Sequence, residues 1–288
     1  MTAHEVEIRF RRIRVGIDVS RQSLVALEAA ADLARTLEAE IEGIFIEDIE
    51  LLQAASRPGA AEIAYPSGVR TELTFPGMEC HLRALAREAR ERLQAEAERQ
   101  RLRWTFHVAR GKVSDELLAR GLEDDLLILG ARGRLSRTFG RIGSTVKDAV
   151  ALARGPVLLV RGAAPRLGSC LISFFDGSVC AEKALRIASS LSRKLSVVIV
   201  PDGGTEETRD SDAVERRASE LLRELGREDV RPVRGRMSGN KIVLPPGHPR
   251  DGAIVFPLDL ACLARQDLLE MIEESDLPVL LVPGGKVR

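Results

Sequence analysis

The pentapeptide Pro-Val-Leu-Leu-Val occurs twice in this chain, at 156–160 and at 278–282. Each copy closes a run in which short apolar segments alternate with amphipathic helical ones. That alternation confines the chain to α/β folds built on a parallel sheet. Aromatic residues make up only 3% of the sequence, against 44% hydrophobic residues overall. The core therefore rests on Leu, Ile, Val and Ala, which suits strands buried on both faces under helices.

In the first run, Arg14–Ser20 is a short strand ending in a polar turn. Leu24, Leu27, Ala31 and Ala34 recur at helical spacing and predict a helix from about Gln22 to Leu37. Ile41–Ile46 is a second strand, completing a strand–helix–strand unit. Glu47 to Cys80 then breaks the rhythm with Pro58, Gly59, Pro66, Gly68, Pro76 and Gly77. It reads as an inserted excursion with some helix near Ile49–Ala55, either a lid or contact surface or a plain surface loop. From Leu82 a long helix follows, its Arg/Glu-rich face a solvated one with i,i+4 pairing. Trp104–Val108 is a third strand, Val113–Leu122 a short helix and Leu126–Leu129 a strongly apolar fourth strand. A last helical stripe (Val146, Ala149, Val150, Ala153) stops at Gly155-Pro156, and Val157–Val160 is the fifth strand.

Gly162–Pro165 is a natural linker, and beyond it the rhythm restarts. Asp176-Gly177-Ser178 answers to Asp18-Val19-Ser20, and 278–282 answers to 156–160. The expectation is two tandem domains, 1–162 and 166–288. Each is a doubly wound, Rossmann-like five-stranded parallel sheet of strand order 3-2-1-4-5.

The chemistry-bearing segment runs from Gly130 to Thr145, leaving a buried strand and entering a helix. Its glycines let backbone approach a ligand closely. Ser144 and Thr145 stand at the helix start, where unpaired N–H groups and the dipole favour an anion. Arg132, Arg134, Arg137 and Arg141 add positive charge suited to phosphate. No Lys follows the glycines as in a P-loop, and the spacing is not G-x-G-x-x-G. The alternative is a tight turn with Ser144 or Thr145 as an ordinary N-cap. With strand order 3-2-1-4-5, Asp18 and Gly130 flank one crevice at the switch point. Asp18 is then either a ligand for a base or ribose, or a turn residue for the next helix.

These residues resemble the universal stress protein family. Its G-x2-G-x9-G-[ST] pattern is matched without a gap by Gly130, Gly133, Gly143 and Ser144. Asp18 and Ser20 resemble the family's Asp-Gly-Ser turn, with Val19 in place of Gly, and the Pro-Val-Leu-Leu-Val ending resembles its fifth strand. The resemblance implies an adenine nucleotide alpha hydrolase-like fold that binds ATP or another adenine nucleotide, with or without magnesium. It places Asp18 and Ile46 on the adenine side and Gly130, Arg132, Gly133, Gly143, Ser144 and Thr145 around ribose and phosphates. It also implies pairing of fifth strands, which here can occur within one chain or in a homodimer. The second half departs from the pattern: Phe256-Pro257-Leu258-Asp259 holds no glycine loop, Pro257 lacks an N–H, and Asp259 repels phosphate. One nucleotide site per chain is expected.

The expected role is regulatory, through nucleotide-dependent conformation or an unidentified protein partner. A slow ATP hydrolase or phosphotransfer enzyme and a nucleotide-free interaction module are the alternatives. Catalytic residues are not expected, because neither paired carboxylates nor a P-loop Lys accompanies the loop. Lys plus Arg equals Asp plus Glu at 43 each, so bulk charge does not argue for nucleic acid. Cys80, Cys170, Cys180 and Cys262 form no C-x-x-C pair and read as reduced thiols. The charged N-terminus and the absence of a long apolar run predict a cytoplasmic protein with no membrane insertion.

Overall fold

The computed structural model describes residues 10–63, 67–118, 124–131, 143–161, 170–200, 211–238, 241–243 and 252–284. The first half contains β1 (Arg12–Gly16), α1 (Arg21–Thr36), β2 (Glu40–Asp48), α2 (Ile49–Ala55), β3 (Ala61–Ile63), β4 (Arg70–Glu72) and α3 (Phe75–Gln100). It continues through β5 (Trp104–Gly111), α4 (Val113–Leu118), β6 (Asp125–Gly130), α5 (Ser144–Leu152) and β7 (Val157–Val160). The second half contains β8 (Leu171–Phe175), α6 (Val179–Leu191), β9 (Leu195–Ile199), α7 (Ser211–Glu224), β10 (Val233–Arg234), β11 (Arg236–Ser238) and β12 (Lys241–Val243). It ends with β13 (Ala253–Pro257), α8 (Arg265–Glu274) and β14 (Val279–Val282).

Ten of these strands form one sheet in the order β10-β9-β8-β13-β14-β7-β6-β1-β2-β5. Counted along the chain, the five sheet strands of each half stand 3-2-1-4-5. Within each half the pairing is parallel. The halves meet where β14 pairs antiparallel with β7, Leu280 opposite Leu158. The two Val-Leu-Leu-Val strands are thus neighbours within one polypeptide, and both are buried throughout.

Helices cover both faces, as a doubly wound sheet requires. One apolar layer gathers α1, α3, α6 and α7 against Ile13, Val15, Ile41, Leu126 and Val255. The other gathers α4, α5 and α8 against Leu127, Leu159, Ile172 and Phe256. A further tie crosses the joint between halves. The Arg161 guanidinium donates to the carbonyls of Ile272 (2.8 Å), Glu273 (2.6 Å) and Ser275 (3.0 Å). It caps the carbonyl end of α8, where the helix dipole favours a cation.

One polar cluster lies inside the second layer. Arg14 on β1 is 1% exposed and pairs through Nε with Glu42 on β2 at 3.3 Å. Glu42 also accepts from Arg12 at 3.2 Å. Burial pushes the Arg14 guanidinium below its usual range, against the pull of Glu42 and Asp125.

Several boundaries differ from the sequence expectation. The long helix begins at Phe75 rather than Leu82, because Pro76 falls in its first turn, where a missing N–H costs nothing, and Thr74 caps it through Gly77 N (3.2 Å). The excursion holds the small β3–β4 hairpin besides α2. In the second half a β11–β12 hairpin stands where the first half has α4. The expected linker 162–165 and the end of the helix at Leu122 lie outside the described residues.

Candidate functional site

The carboxyl ends of β1, β2, β5 and β6 open onto a cavity of about 650 Å3. Such crevices beyond the strand ends are where open α/β sheets bind ligands.

Its first wall is the turn after β1. Asp18 Oδ1 accepts from Ser20 N at 3.0 Å, and Ser20 Oγ accepts from Ser23 N at 3.2 Å as the N-cap of α1. Asp18 N in turn donates to Ser23 Oγ at 3.3 Å. Asp18 therefore serves as a turn residue and also lines the cavity. Val19 sits at φ 60°, a left-handed conformation uncommon for a β-branched residue. Gly177 holds the matching place in the second half at φ 77°. The apolar contact of Val19 with the core helps hold that conformation.

The second wall comes from β2 and from the excursion. Ile46 lines the cavity beside Ile44 and Phe45. Asp48 ends β2 and caps α2 by accepting from Glu50 N at 2.9 Å. Leu51 of α2, Glu62 of the hairpin, and Met78, His81 and Leu85 of α3 close this side. The excursion thus supplies a wall of the cavity. Nearby, the Arg110 guanidinium is engaged by Glu47 and by Glu79 (both within 2.8 Å), and it holds the Glu79 carboxyl below its ordinary range.

The third wall is the β5–α4 connection with Lys112, Val113 and Ser114, and the fourth is Gly130–Ala131 together with Gly143–Val146. Gly130 has a packing reason for its identity. A Cβ there would lie 2.9 Å from the backbone carbon of Gln22, so its glycine lets α1 approach the end of β6. The N-cap of α5 is Gly143, not Ser144 or Thr145, at φ −63° and ψ 155° with no capping side chain. The first N–H groups of α5 therefore face the cavity without a side-chain acceptor from their own cap, the arrangement that receives an anion.

Of the residues singled out from sequence, Asp18, Ile46, Gly130, Gly143, Ser144 and Thr145 line this one cavity. Arg132 and Gly133, with Arg134, Arg137 and Arg141, lie outside the described residues. The described lining carries Asp18, Asp48, Glu50 and Glu62 against Lys112, so the helix end of α5 is its most anion-friendly part. No group of three or more His, Cys, Asp or Glu side chains is placed to hold a metal among the described residues. Sequence reasoning missed Lys112, Ser114, Met78, His81 and Leu85. Ser114 in Gly-Lys-Val-Ser looks from sequence like an ordinary first-turn residue of a short helix.

In the second half the chain bridges the corresponding strand ends. Ala261 N donates to Asp176 Oδ2 at 3.4 Å, Leu260 is buried, and the Asp259 carboxylate lies where a side chain on Gly284 would project.

Fold and cavity together define a doubly wound α/β protein with an open crevice at the topological switch point. The sequence pattern of the universal stress protein family matches residues 9–161, and the chain belongs to that family. Among solved structures, a universal stress protein from Archaeoglobus fulgidus is similar over 98% of this chain and 99% of its own, with 14% identity and a TM-score of 0.62. The universal stress protein UspA from Lactobacillus plantarum is similar over 53% of this chain and 99% of its own (19% identity, TM-score 0.41). A universal stress protein solved in complex with cAMP is similar over 53% of this chain and 98% of its own (22% identity, TM-score 0.35). No functionally curated protein matches the sequence. Among the described residues, no helix is long and apolar enough to cross a membrane.

Proposed function

We propose that this chain binds one adenine nucleotide, such as ATP, in the first-half cavity and uses it as a regulatory ligand. The observation that carries this reading is the convergence of Asp18, Ile46, Gly130, Gly143, Ser144 and Thr145 on one cavity ending at a glycine-capped helix. In this reading the first N–H groups of α5 and the hydroxyls of Ser144 and Thr145 hold the phosphates. Asp18 and the end of β2 at Ile46 hold the base and ribose. Magnesium would arrive with the phosphates, since the described lining offers no metal-binding cluster of its own. The lack of a glycine loop after β13, where Phe256-Pro257-Leu258-Asp259 stands, supports one site per chain, with the second half as structural partner.

Binding rather than turnover is favoured by the lining itself. The α5 end presents amides and hydroxyls, while Asp48, Glu50 and Glu62 belong to the opposite wall and Asp18 is engaged in bracing its own turn. A base for water attack would need to lie within reach of the transferred phosphate.

The test is mass spectrometry of nucleotide released from the purified protein, with phosphate release measured on the same sample. Released adenine nucleotide with turnover at background supports the reading. Absence of any nucleotide, together with no titratable binding of ATP or AMP, overturns it. Rapid phosphate release that disappears on mutation of the cavity would replace a regulatory role with an enzymatic one.

A further inference from the structure

Among the described residues, six side-chain polar atoms are buried with no hydrogen-bond partner: two on Arg14 and one each on Gln22, Ser114, Asp125 and Ser173. Ser114 Oγ alone among them belongs to a residue lining the 650 Å3 cavity. Ser114 is 3% exposed, and its hydroxyl has one proton to donate and two lone pairs to fill. Leaving such a group unbonded away from water is costly, and native proteins rarely do so without a reason. Alanine fits the same backbone without that cost.

The surroundings of Ser114 say which part of a ligand it meets. It stands in the first turn of α4, after β5, whereas α5 follows β6, and β1 and β2 separate these two strands. Its neighbours on the cavity wall are Val113, Leu117, Ile44 and Ile46. An apolar wall with one hydroxyl suits a heteroaromatic ring with a polar edge better than a phosphate. The helix end that suits phosphate lies at the β6 side.

We infer that Ser114 is a specificity contact, its hydroxyl turning about χ1 from its buried position to hydrogen-bond the purine edge of the bound nucleotide. The inference rests on the nucleotide reading above and adds a residue to it. A ligand without a ring hydrogen-bonding edge leaves Ser114 unsatisfied, so the residue selects for a nucleobase over a bare polyphosphate.

The experiment compares wild type with Ser114→Ala by isothermal titration with ATP and with tripolyphosphate, and by thermal unfolding of the ligand-free protein. The expected result is ATP affinity weakened about five- to tenfold, the loss of one neutral hydrogen bond. Tripolyphosphate affinity stays unchanged, and the ligand-free variant unfolds no lower than wild type. A variant that binds ATP as wild type does overturns the inference while nucleotide binding stands. Equal losses for ATP and tripolyphosphate also overturn it, because they place the effect on the phosphates or on the fold. If wild type binds tripolyphosphate but ATP no better, the nucleotide reading falls and the inference with it.

Discussion

The glycine cap of α5 permits a perturbation in which stability and binding move in opposite directions. Gly143 has φ −63° and ψ 155°, a conformation open to any residue, so Gly143→Asp introduces no backbone strain. An aspartate there can accept from the free N–H groups of the first turn. Relative to glycine this contributes a few tenths of a kcal/mol as a cap and about 0.3–1 kcal/mol through the helix dipole. The ligand-free protein should therefore melt about 1–3 °C higher. The same carboxylate would stand beside a bound phosphate. Two unit charges about 5 Å apart repel by about 3 kcal/mol at an effective dielectric of about 20. Salt and solvent at the half-exposed cap remove part of that. An affinity loss of about 10- to 100-fold remains. Gly143→Asn is the control, since it caps as well without the charge and should bind within about threefold of wild type. Differential scanning fluorimetry and titration calorimetry at low and moderate salt read both quantities. If the Asp and Asn variants bind ATP equally well, the phosphate does not sit at α5.

Three further outcomes follow from the interior. Gly43→Ala should destabilise the protein by about 1–3 kcal/mol in urea unfolding, because its Cβ would lie 2.6 Å from Leu93 Cδ2 and 3.1 Å from the Phe106 ring. Glu42→Ala removes the 3.3 Å partner of buried Arg14 and should cost about 3 kcal/mol, the lower end for breaking a buried pair, because Asp125 still attracts the guanidinium. Burial raises the Cys180 thiol above its ordinary range and shields it from reagent, so between pH 7 and 9 it should be labelled more slowly than exposed Cys80. Thiol labelling followed by peptide mapping should find Cys80 modified first; Cys180 reacting as fast in folded protein would contradict the burial argument.

The parts of the fold legible in sequence were those set by long-period apolar pattern. Leu126–Leu129 and both Val-Leu-Leu-Val runs are strands because a sheet covered on both faces demands continuous apolar residues. The Asp18 turn and the α5 start were legible because few residue types serve there. Pro76 misled, since a proline in the first turn of a helix looks the same in sequence as one that ends it. The β3–β4 and β11–β12 hairpins have strands of three residues, too short to carry a period. Ser114 and Arg161 were missed for another reason. Their roles arise from tertiary burial and from a contact across more than a hundred residues of chain, neither of which leaves a local mark.

The antiparallel meeting of β7 and β14 has a geometric consequence for how the molecule meets its surroundings. Because pairing within each half is parallel, the strands of the first half all point one way along the sheet and those of the second half point the other. The cavity at Asp18 and the matching turn at Asp176 therefore face opposite rims of a single ten-stranded sheet. Any coupling between the rims would cross the joint formed by the Val-Leu-Leu-Val seam, the Arg161 clasp on α8 and the packing of α5 against α8.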